Sequence, residues 1–297
     1  MHCRLKHLSL SSWCGSGLVP ETAAATFARL FHMTDSKIST AAADQIKAQL
    51  ASPSYRLAAL DQEFLLGDSM RGVRFMLEYA KAEEILRRWK IRSTVVVFGS
   101  ARVSERDEGR RGFWYQQARD FGRICSERGG ALDGDGTEHR NVVATGGGPG
   151  VMEAANRGAF ESGAPSIGFN ITLPHEQFPN PYTTPELTFQ FHYFAMRKMH
   201  LAMRARALVV FPGGFGTFDE LFELMTLVQT EKTPKLPIIL FDEEFWSKAI
   251  SFDALVEAGT ISPGDPDLFS YAGDAEEVWS RLQQAGLTAS GDYDYIT

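Results

Sequence analysis

Three acidic residues crowd the segment just after a glycine-rich turn, and they are the first candidates for chemistry. The turn is Pro212-Gly-Gly-Phe-Gly-Thr217, and Asp219, Glu220 and Glu223 follow it. A carboxylate beside a turn that holds an anion could orient water or stabilise positive charge on a sugar ring. The competing interpretation is a helix cap, because Thr217 can N-cap a helix and Glu220 stands at capping-box spacing. The crowding of acids beside this turn favours the catalytic interpretation.

A basic pair lies just upstream of that turn. Arg197 and Lys198 open a helical pattern that leads into the strand before Pro212. Surface pairs of this kind are usually solvated and inert. However, the stretch from Leu187 to Phe218 contains no Asp or Glu, although the whole chain has a formal net charge of −7. The sequence therefore predicts a local positive region suited to a small anionic substrate.

Three glycine-rich turns each follow a strand-like segment and precede a helical pattern. They are Phe98-Gly-Ser-Ala-Arg102, Thr145-Gly-Gly-Gly-Pro-Gly150 and Phe211 to Thr217. Glycine lets the backbone approach an anion, and a helix N-terminus stabilises negative charge. Three such turns in one sheet predict phosphate or nucleotide binding, whereas a single one could serve only to reverse the chain. The G-x-G-x-x-G dinucleotide fingerprint fails at Glu153 and the P-loop is absent, which disfavours NAD-dependent and NTPase functions.

The elements that position these turns alternate between strand and helix. Short apolar β-branched runs predict strands, and helical periodicity fills most of the intervals between them. Such alternation predicts a doubly wound parallel sheet flanked by helices, which binds ligands beyond the carboxyl ends of its strands. The predicted strands are Thr94–Phe98, Asn141–Thr145, Ser166–Asn170, Ala207–Phe211 and Leu236–Leu240; the predicted helices are Phe113–Glu127, Gly150–Ser162, Ala195–Arg206 and Thr217–Thr230.

Three regions are expected along the chain. Residues 1–40 read as a poorly structured extension, for which a start at Met33 or a transit peptide is the alternative. Residues 41–92 have a helical pattern and are expected to pack on the main domain as a prelude. Residues 93–290 form the predicted nucleotide-binding catalytic domain.

Composition excludes several function classes. The chain has 44% hydrophobic and 23% charged residues, which is typical of a globular protein. The net charge of −7 argues against binding a nucleic acid polymer, which needs many basic residues on one face. No apolar run approaches the roughly 20 residues that span a bilayer. Cys3, Cys14 and Cys125 are too far apart for a zinc site or a disulfide framework, so a reducing, cytoplasmic location is expected.

The motifs together resemble a known family. Pro212 to Glu220 fits P-G-G-x-G-T-x-x-E, and Met196-Arg197-Lys198 supplies the R-K that precedes it. With Gly146-Gly-Gly-Pro-Gly-Val-Met-Glu153, the chain resembles the Lonely Guy (LOG) cytokinin-activating phosphoribohydrolases. Phe169 to Gln177 and Leu227 to Thr230 resemble their longer bacterial branch. The resemblance spans roughly Leu60 to Trp279.

The resemblance implies a Rossmann-like hydrolase that cleaves the N-glycosidic bond of nucleoside 5′-monophosphates, either AMP or cytokinin riboside monophosphates. The products would be the free base and ribose 5-phosphate, with no metal or organic cofactor. Arg197 and Glu220 would be the catalytic pair, and the protein would be a homodimer or higher homo-oligomer, with the apolar stretch Phe189 to Phe194 offering surface for it. The positions expected to bind substrate are Gly99, Ser100, Arg102, Gly146, Gly147, Gly148, Glu153, Lys198, Pro212, Gly213, Gly214, Gly216 and Thr217.

Two alternatives stay open, and two are set aside. A nucleotide-binding sensor or carrier of the same fold would need the phosphate turns but not Arg197 and Glu220. A hydrolase of another N-glycosidic or phosphorylated metabolite is a weaker possibility. The lysine decarboxylase name often given to such proteins is rejected, since the sequence has no Ser-x-x-Lys or His-Lys pyridoxal site. His175 and Glu176 lack a second histidine at H-E-x-x-H spacing, where Phe178 stands, so no metal is expected.

Overall fold

A computed structural model of the chain describes residues 40–132, 138–173 and 178–289. The predictions for residues 1–39, including Cys3 and Cys14, lie outside the described residues, as do His175 and Glu176. Cys125 is buried and carries a free thiol, and burial raises its pKa to about 12. In the described ranges, no helix combines the length and apolar character that crossing a bilayer requires.

The chain divides into two compact units, with the boundary between Arg71 and Gly72. The described part of the first unit contains two α-helices, α1 (Thr40–Ala51) and α2 (Gln62–Leu66). Neither helix has a buried residue. Asp61 caps α2 by accepting a hydrogen bond from Phe64 N at 3.2 Å. The domain boundaries expected at residues 40 and 92 stay predictions.

The second unit is built on a seven-stranded sheet in which every strand pair is parallel. The strand order is β4-β3-β2-β1-β5-β6-β7. The chain therefore winds outward from β1 in two directions, which confirms the predicted doubly wound sheet. The strands are β1 (Thr94–Phe98), β2 (Val142–Thr145), β3 (Ser166–Ile171), β4 (Thr188–Phe191), β5 (Ala205–Val210), β6 (Ile238–Phe241) and β7 (Phe269–Ala272).

Helices cover both faces of this sheet. Val95 and Val97 of β1 face one core, whereas Val96 and Phe98 face the other, because side chains alternate along a strand. The first core is closed by α4, α5 and α10, and the second by α3, α6, α7, α8 and α9. The helices are α3 (Arg71–Arg88), α4 (Gly109–Arg128), α5 (Val151–Glu161), α6 (Phe194–Met203), α7 (Phe215–Gln229), α8 (Glu243–Ala249), α9 (Phe252–Glu257) and α10 (Ala275–Gln284).

The two outermost strands, β4 and β7, were not predicted. Both are only four residues long, and β4 mixes polar Thr188 and Gln190 with buried Phe189 and Phe191. The alternation also corrects the expectation that Phe189 to Phe194 forms a surface for oligomerisation. Phe189 and Phe191 lie in the core, whereas Phe194 is half-exposed. The homo-oligomer itself stays a prediction, but this stretch no longer supports it.

The helix expected over Ala195–Arg206 ends earlier. It stops at Met203, and β5 begins at Ala205. Arg204, between them, directs its guanidinium into the protein, where it donates to both carboxylate oxygens of Glu83 at 2.5 and 3.1 Å. This buried ion pair joins α3 to the residue that lies between α6 and β5.

Candidate active site

The three glycine-rich turns meet at the carboxyl edge of the sheet, where β1 and β5 are neighbours. Phe211 N donates to Phe98 O at 2.8 Å, and Ser100 N donates to Pro212 O at 2.9 Å. Val151 N, at the start of α5, donates to Ser100 O at 3.0 Å. These backbone hydrogen bonds join the turns into one rim. The rim lies at the switch point of a doubly wound sheet, where ligands bind in such folds.

Arg197 and Glu220 form a buried ion pair at this rim. Arg197 lies in the first turn of α6, Glu220 lies in α7, and the two residues are 8% and 5% exposed. Arg197 Nη1 donates to Glu220 Oε1 at 3.1 Å, and Arg197 Nε donates to Phe169 O at 2.8 Å. The main chain of β3 thus holds the guanidinium against the carboxylate. The structure brings together the two residues that the resemblance identified as a catalytic pair.

The surroundings of Glu220 change its acidity. Burial raises the pKa of its carboxyl from 4.5 to about 7, and this outweighs the opposing effects of Arg197 and Lys198. Burial also lowers the pKa of Arg197, with the charge of Glu220 opposing the change. An arginine nevertheless stays protonated near neutral pH. The pair is therefore a permanent cation beside a carboxyl that can gain or lose a proton near pH 7, as general acid–base chemistry requires.

Two other basic residues of the stretch from Leu187 to Phe218, Lys198 and Arg204, pair with acids from outside that stretch. Lys198 Nζ lies 2.9 Å from Asp219 Oδ1 and 2.9 Å from Glu223 Oε2. Arg204 is paired with Glu83, as described above. These ion pairs reduce the positive charge that the sequence predicts for this region, and the local positive region stays a prediction. Counting charges along one window misses partners that the fold brings in from α3 and α7.

The α7 N-terminus differs from the capping box that the competing interpretation of Thr217 and Glu220 requires. Gly214 occupies the N-cap position without a side-chain cap, so Thr217 lies inside the helix and Glu220 pairs with Arg197 instead. Thr217 N donates to Gly214 O at 2.9 Å. A Cβ on Gly213 would collide with the buried Thr217 hydroxyl, so that position requires glycine.

The same helix end leaves backbone donors open. The first N–H groups of a helix, here those of Phe215 and Gly216, have no partner within the helix. A Cβ on Gly214 or Gly216 would meet nothing within 4 Å, so the space above the turn is open. Open donors at a helix N-terminus suit an anion.

The turn after β2 needs glycine for steric reasons. Gly147 and Gly150 have φ angles of +69° and +76°. A Cβ on Gly150 would collide with Ser100 O, and a Cβ on Gly146 would lie 2.5 Å from Arg197 Nη2. Gly147 N donates to Thr145 Oγ1 at 2.9 Å. The guanidinium of Arg197 therefore lies directly over this turn.

Buried asparagines that sequence reasoning missed hold this turn in place. Asn180 N donates to Gly147 O at 2.9 Å, and Asn180 Nδ2 donates to Gly148 O at 3.1 Å. Thr145 Oγ1 donates to Asn156 Oδ1 at 2.7 Å, and this oxygen also accepts from Asn180 Nδ2 at 3.0 Å. No local pattern marks Asn180, which lies between two prolines well downstream of the turn.

The remaining predicted residues serve mostly local structure. A Cβ on Gly99 would lie 2.7 Å from the side chain of Val151, so this glycine lets β1 approach α5. Ser100 Oγ accepts from Arg102 N at 3.0 Å, while the Arg102 side chain is exposed. Glu153 Oε1 accepts from the hydroxyl of buried Tyr115 at 3.0 Å. Binding of substrate by these residues stays a prediction.

Comparisons with known proteins identify sequences similar to this chain. A family model described as "Possible lysine decarboxylase" matches residues 152–282. Cytokinin riboside 5′-monophosphate phosphoribohydrolase LOG1 of Arabidopsis thaliana is 30% identical over 155 residues, which is 50% of this chain and 71% of the relative. LOG3 of the same plant is 28% identical over 55% of this chain and 77% of the relative. A probable LOG4 of Oryza sativa subsp. japonica is 27% identical over 67% of this chain and 79% of the relative.

A solved structure also aligns with the chain. It is that of the molybdenum cofactor binding protein from the phototrophic bacterium Rippkaea orientalis. The identity is 16% and the TM-score is 0.45, over 65% of this chain and 97% of the other.

Proposed function

The chain belongs to the Lonely Guy family, and from this premise we propose that it hydrolyses the N-glycosidic bond of nucleoside 5′-monophosphates. The products are the free base and ribose 5-phosphate. The observation that carries the proposal is the buried pair of Arg197 and Glu220 at the carboxyl edge of the sheet. A phosphate-binding protein without catalysis has no need of a desolvated carboxyl with a pKa of about 7.

Glu220 acts on the sugar. Loss of the base leaves oxocarbenium character on the ribose, and an ionised carboxylate close to the anomeric carbon stabilises that charge. The same carboxylate aligns the attacking water and accepts its proton as the new C–O bond forms. The departing base keeps the electron pair of the broken C–N bond and takes up a proton from solvent, which gives the neutral free base. A pKa near the working pH lets the group be ionised before the reaction and take up a proton during it.

Arg197 supplies a fixed positive charge. Its bonds to Phe169 O and Glu220 Oε1 use Nε and Nη1, while Nη2 faces the turn at Gly146. The guanidinium orients the carboxylate of Glu220 and stabilises negative charge on the departing base or on the phosphate. It moves no proton in this scheme.

The phosphate is assigned to the N-terminus of α7. The first turn of α7 contains no acid, and the N–H groups of Phe215 and Gly216 are open to a ligand. At α5 the corresponding end is less suited to an anion, because Val151 N already donates to Ser100 O and Glu153 stands in the first turn. This contrast supports phosphate at Gly213 to Thr217 and ribose at the turn after β2.

Release of the base from AMP and from N6-isopentenyladenosine 5′-monophosphate tests the proposal. We expect equimolar base and ribose 5-phosphate from at least one of them. Adenosine, which lacks the phosphate, should react at least about tenfold more slowly, because remote binding energy is lost with the phosphate. The ratio of kcat/KM values for the two monophosphates measures whether an unmodified or a prenylated base is preferred.

Two controls make the result decisive. Glu276→Gln removes an exposed carboxyl on α10 that pairs with Arg128 and should hydrolyse AMP at the wild-type rate. Tight binding of AMP with no release of base would contradict the hydrolase and support a nucleotide sensor or carrier. Release of base from adenosine as fast as from AMP would contradict the assigned role of the phosphate.

A further inference from the structure

Asn170 carries an amide group that the site described so far does not use. It lies in β3, next to Phe169, whose carbonyl accepts from Arg197 Nε. Its Nδ2 atom is buried and has no hydrogen-bond partner within the described residues. A buried polar atom is nearly always paired, and an exception calls for a ligand or another specific cause.

The amide is packed against the glycine turn after β2. A Cβ on Gly147 would collide with Asn170 Nδ2, and a Cβ on Gly168 would lie 3.3 Å from the same atom. Two glycines thus make room for one amide. Since Arg197 Nη2 faces Gly146, the guanidinium and the amide lie over consecutive residues of the same turn.

The chemistry of the amide indicates which part of the substrate it contacts. A carboxamide has a donor and an acceptor, and so does a hydroxyl, whereas a fully ionised phosphate only accepts. The phosphate is already matched by the open N–H groups at the start of α7. Of the two turns that remain, the turn after β2 lies against both the Asn170 amide and the Arg197 guanidinium, which favours it as the site of the sugar.

We propose that the Asn170 amide binds a ribose hydroxyl of the nucleotide and thereby positions the anomeric carbon beside Glu220. This inference rests on the proposed function. Asn170 would then distinguish sugars by this hydroxyl, so the enzyme should favour ribonucleotides over deoxyribonucleotides.

Matched substrates and variants test this assignment. We would measure kcat/KM for AMP, 2′-deoxy-AMP and 3′-deoxy-AMP with the wild type, Asn170→Ala and Asn170→Asp. Asn170→Asp keeps the size of the side chain and replaces the NH2 donor by oxygen. With AMP, both variants should lose about tenfold in kcat/KM, the size of effect that one neutral hydrogen bond gives. With the deoxynucleotide that lacks the contacted hydroxyl, the same substitutions should change kcat/KM less than about twofold.

Asn156 provides the control for a purely structural role. It is buried, and its Oδ1 accepts from Thr145 and Asn180 within the framework of the turn. Asn156→Asp should therefore lower kcat/KM for all three nucleotides by the same factor. An equal loss for all three nucleotides in the Asn170 variants, or no loss at all, would overturn the proposal.

Failure of the inference can be told apart from failure of the proposed function. If the wild type releases no base from any of the nucleotides, the proposed hydrolysis is refuted. The dissociation constants of the same three nucleotides, measured by calorimetry, then test Asn170 independently. A loss of affinity in Asn170→Ala that is confined to nucleotides carrying one particular hydroxyl would support the assignment, and a uniform or absent loss would overturn it.

Discussion

The buried carboxyl of Glu220 should make the stability of the fold depend on pH. Burial raises its pKa from 4.5 to about 7, so the folded protein binds this proton more tightly than the unfolded chain does. The resulting stabilisation is present in full below pH 4.5 and is lost as the pH rises through 7. At about 1.4 kcal/mol for each pH unit, the full loss amounts to about 3.5 kcal/mol. Glu220→Gln has no carboxyl to ionise and should not show this loss.

Denaturant unfolding between pH 5 and pH 8.5 measures the effect, as the difference between the wild type and Glu220→Gln at each pH. We expect the free energy of unfolding of the wild type to fall by about 2.5 kcal/mol more than that of the variant over this range, which starts above the unfolded pKa of 4.5. The exposed control Glu276→Gln should run parallel to the wild type. Parallel curves for the wild type and Glu220→Gln would show that burial does not raise this pKa, and would refute the reasoning.

Three further predictions follow from the same geometry. The kcat for AMP should rise with pH through an apparent pKa near 7, because the ionised form of Glu220 is the active one; a flat profile from pH 5.5 to 8.5 would contradict this. Gly147→Ala should destabilise the protein by at least about 1 kcal/mol more than Gly163→Ala in denaturant titrations. Both residues have a positive φ, but only at Gly147 would the new Cβ meet a neighbouring side chain. Glu83→Ala should cost about 3–5 kcal/mol, because it removes the carboxylate that balances the charge of the buried Arg204, whereas the exposed Glu84→Ala should cost less than about 1 kcal/mol; equal costs would contradict the burial argument.

The sheet and its turns could be predicted because their signals are local. The run from Thr94 to Phe98 is continuous and apolar, and it forms β1 with the predicted bounds. The glycine that follows it, Gly99, indicates a turn directly after the strand. The edge strand β4 gave no such signal, since Thr188 and Gln190 interrupt its apolar residues. An edge strand is recognised only when its neighbour is known.

The site was predictable only in part, because its contacts are long-range. The resemblance pointed to Arg197 and Glu220, and the fold brings them to 3.1 Å. Nothing near Arg204 in the sequence indicates that Glu83 neutralises it from α3. The amide of Asn170 is likewise noticed only once the strand ends and the glycine turn are seen side by side. Charges and hydrogen bonds of this kind depend on the packing of distant segments.

The turnover of AMP by the wild type and by Glu220→Gln tests the central claim most directly. The account predicts equimolar adenine and ribose 5-phosphate from the wild type. It also predicts a fall in kcat of at least about 100-fold in the variant, the loss expected when a general base is removed. Turnover by Glu220→Gln within a few-fold of the wild type, or no release of adenine by the wild type, would contradict it.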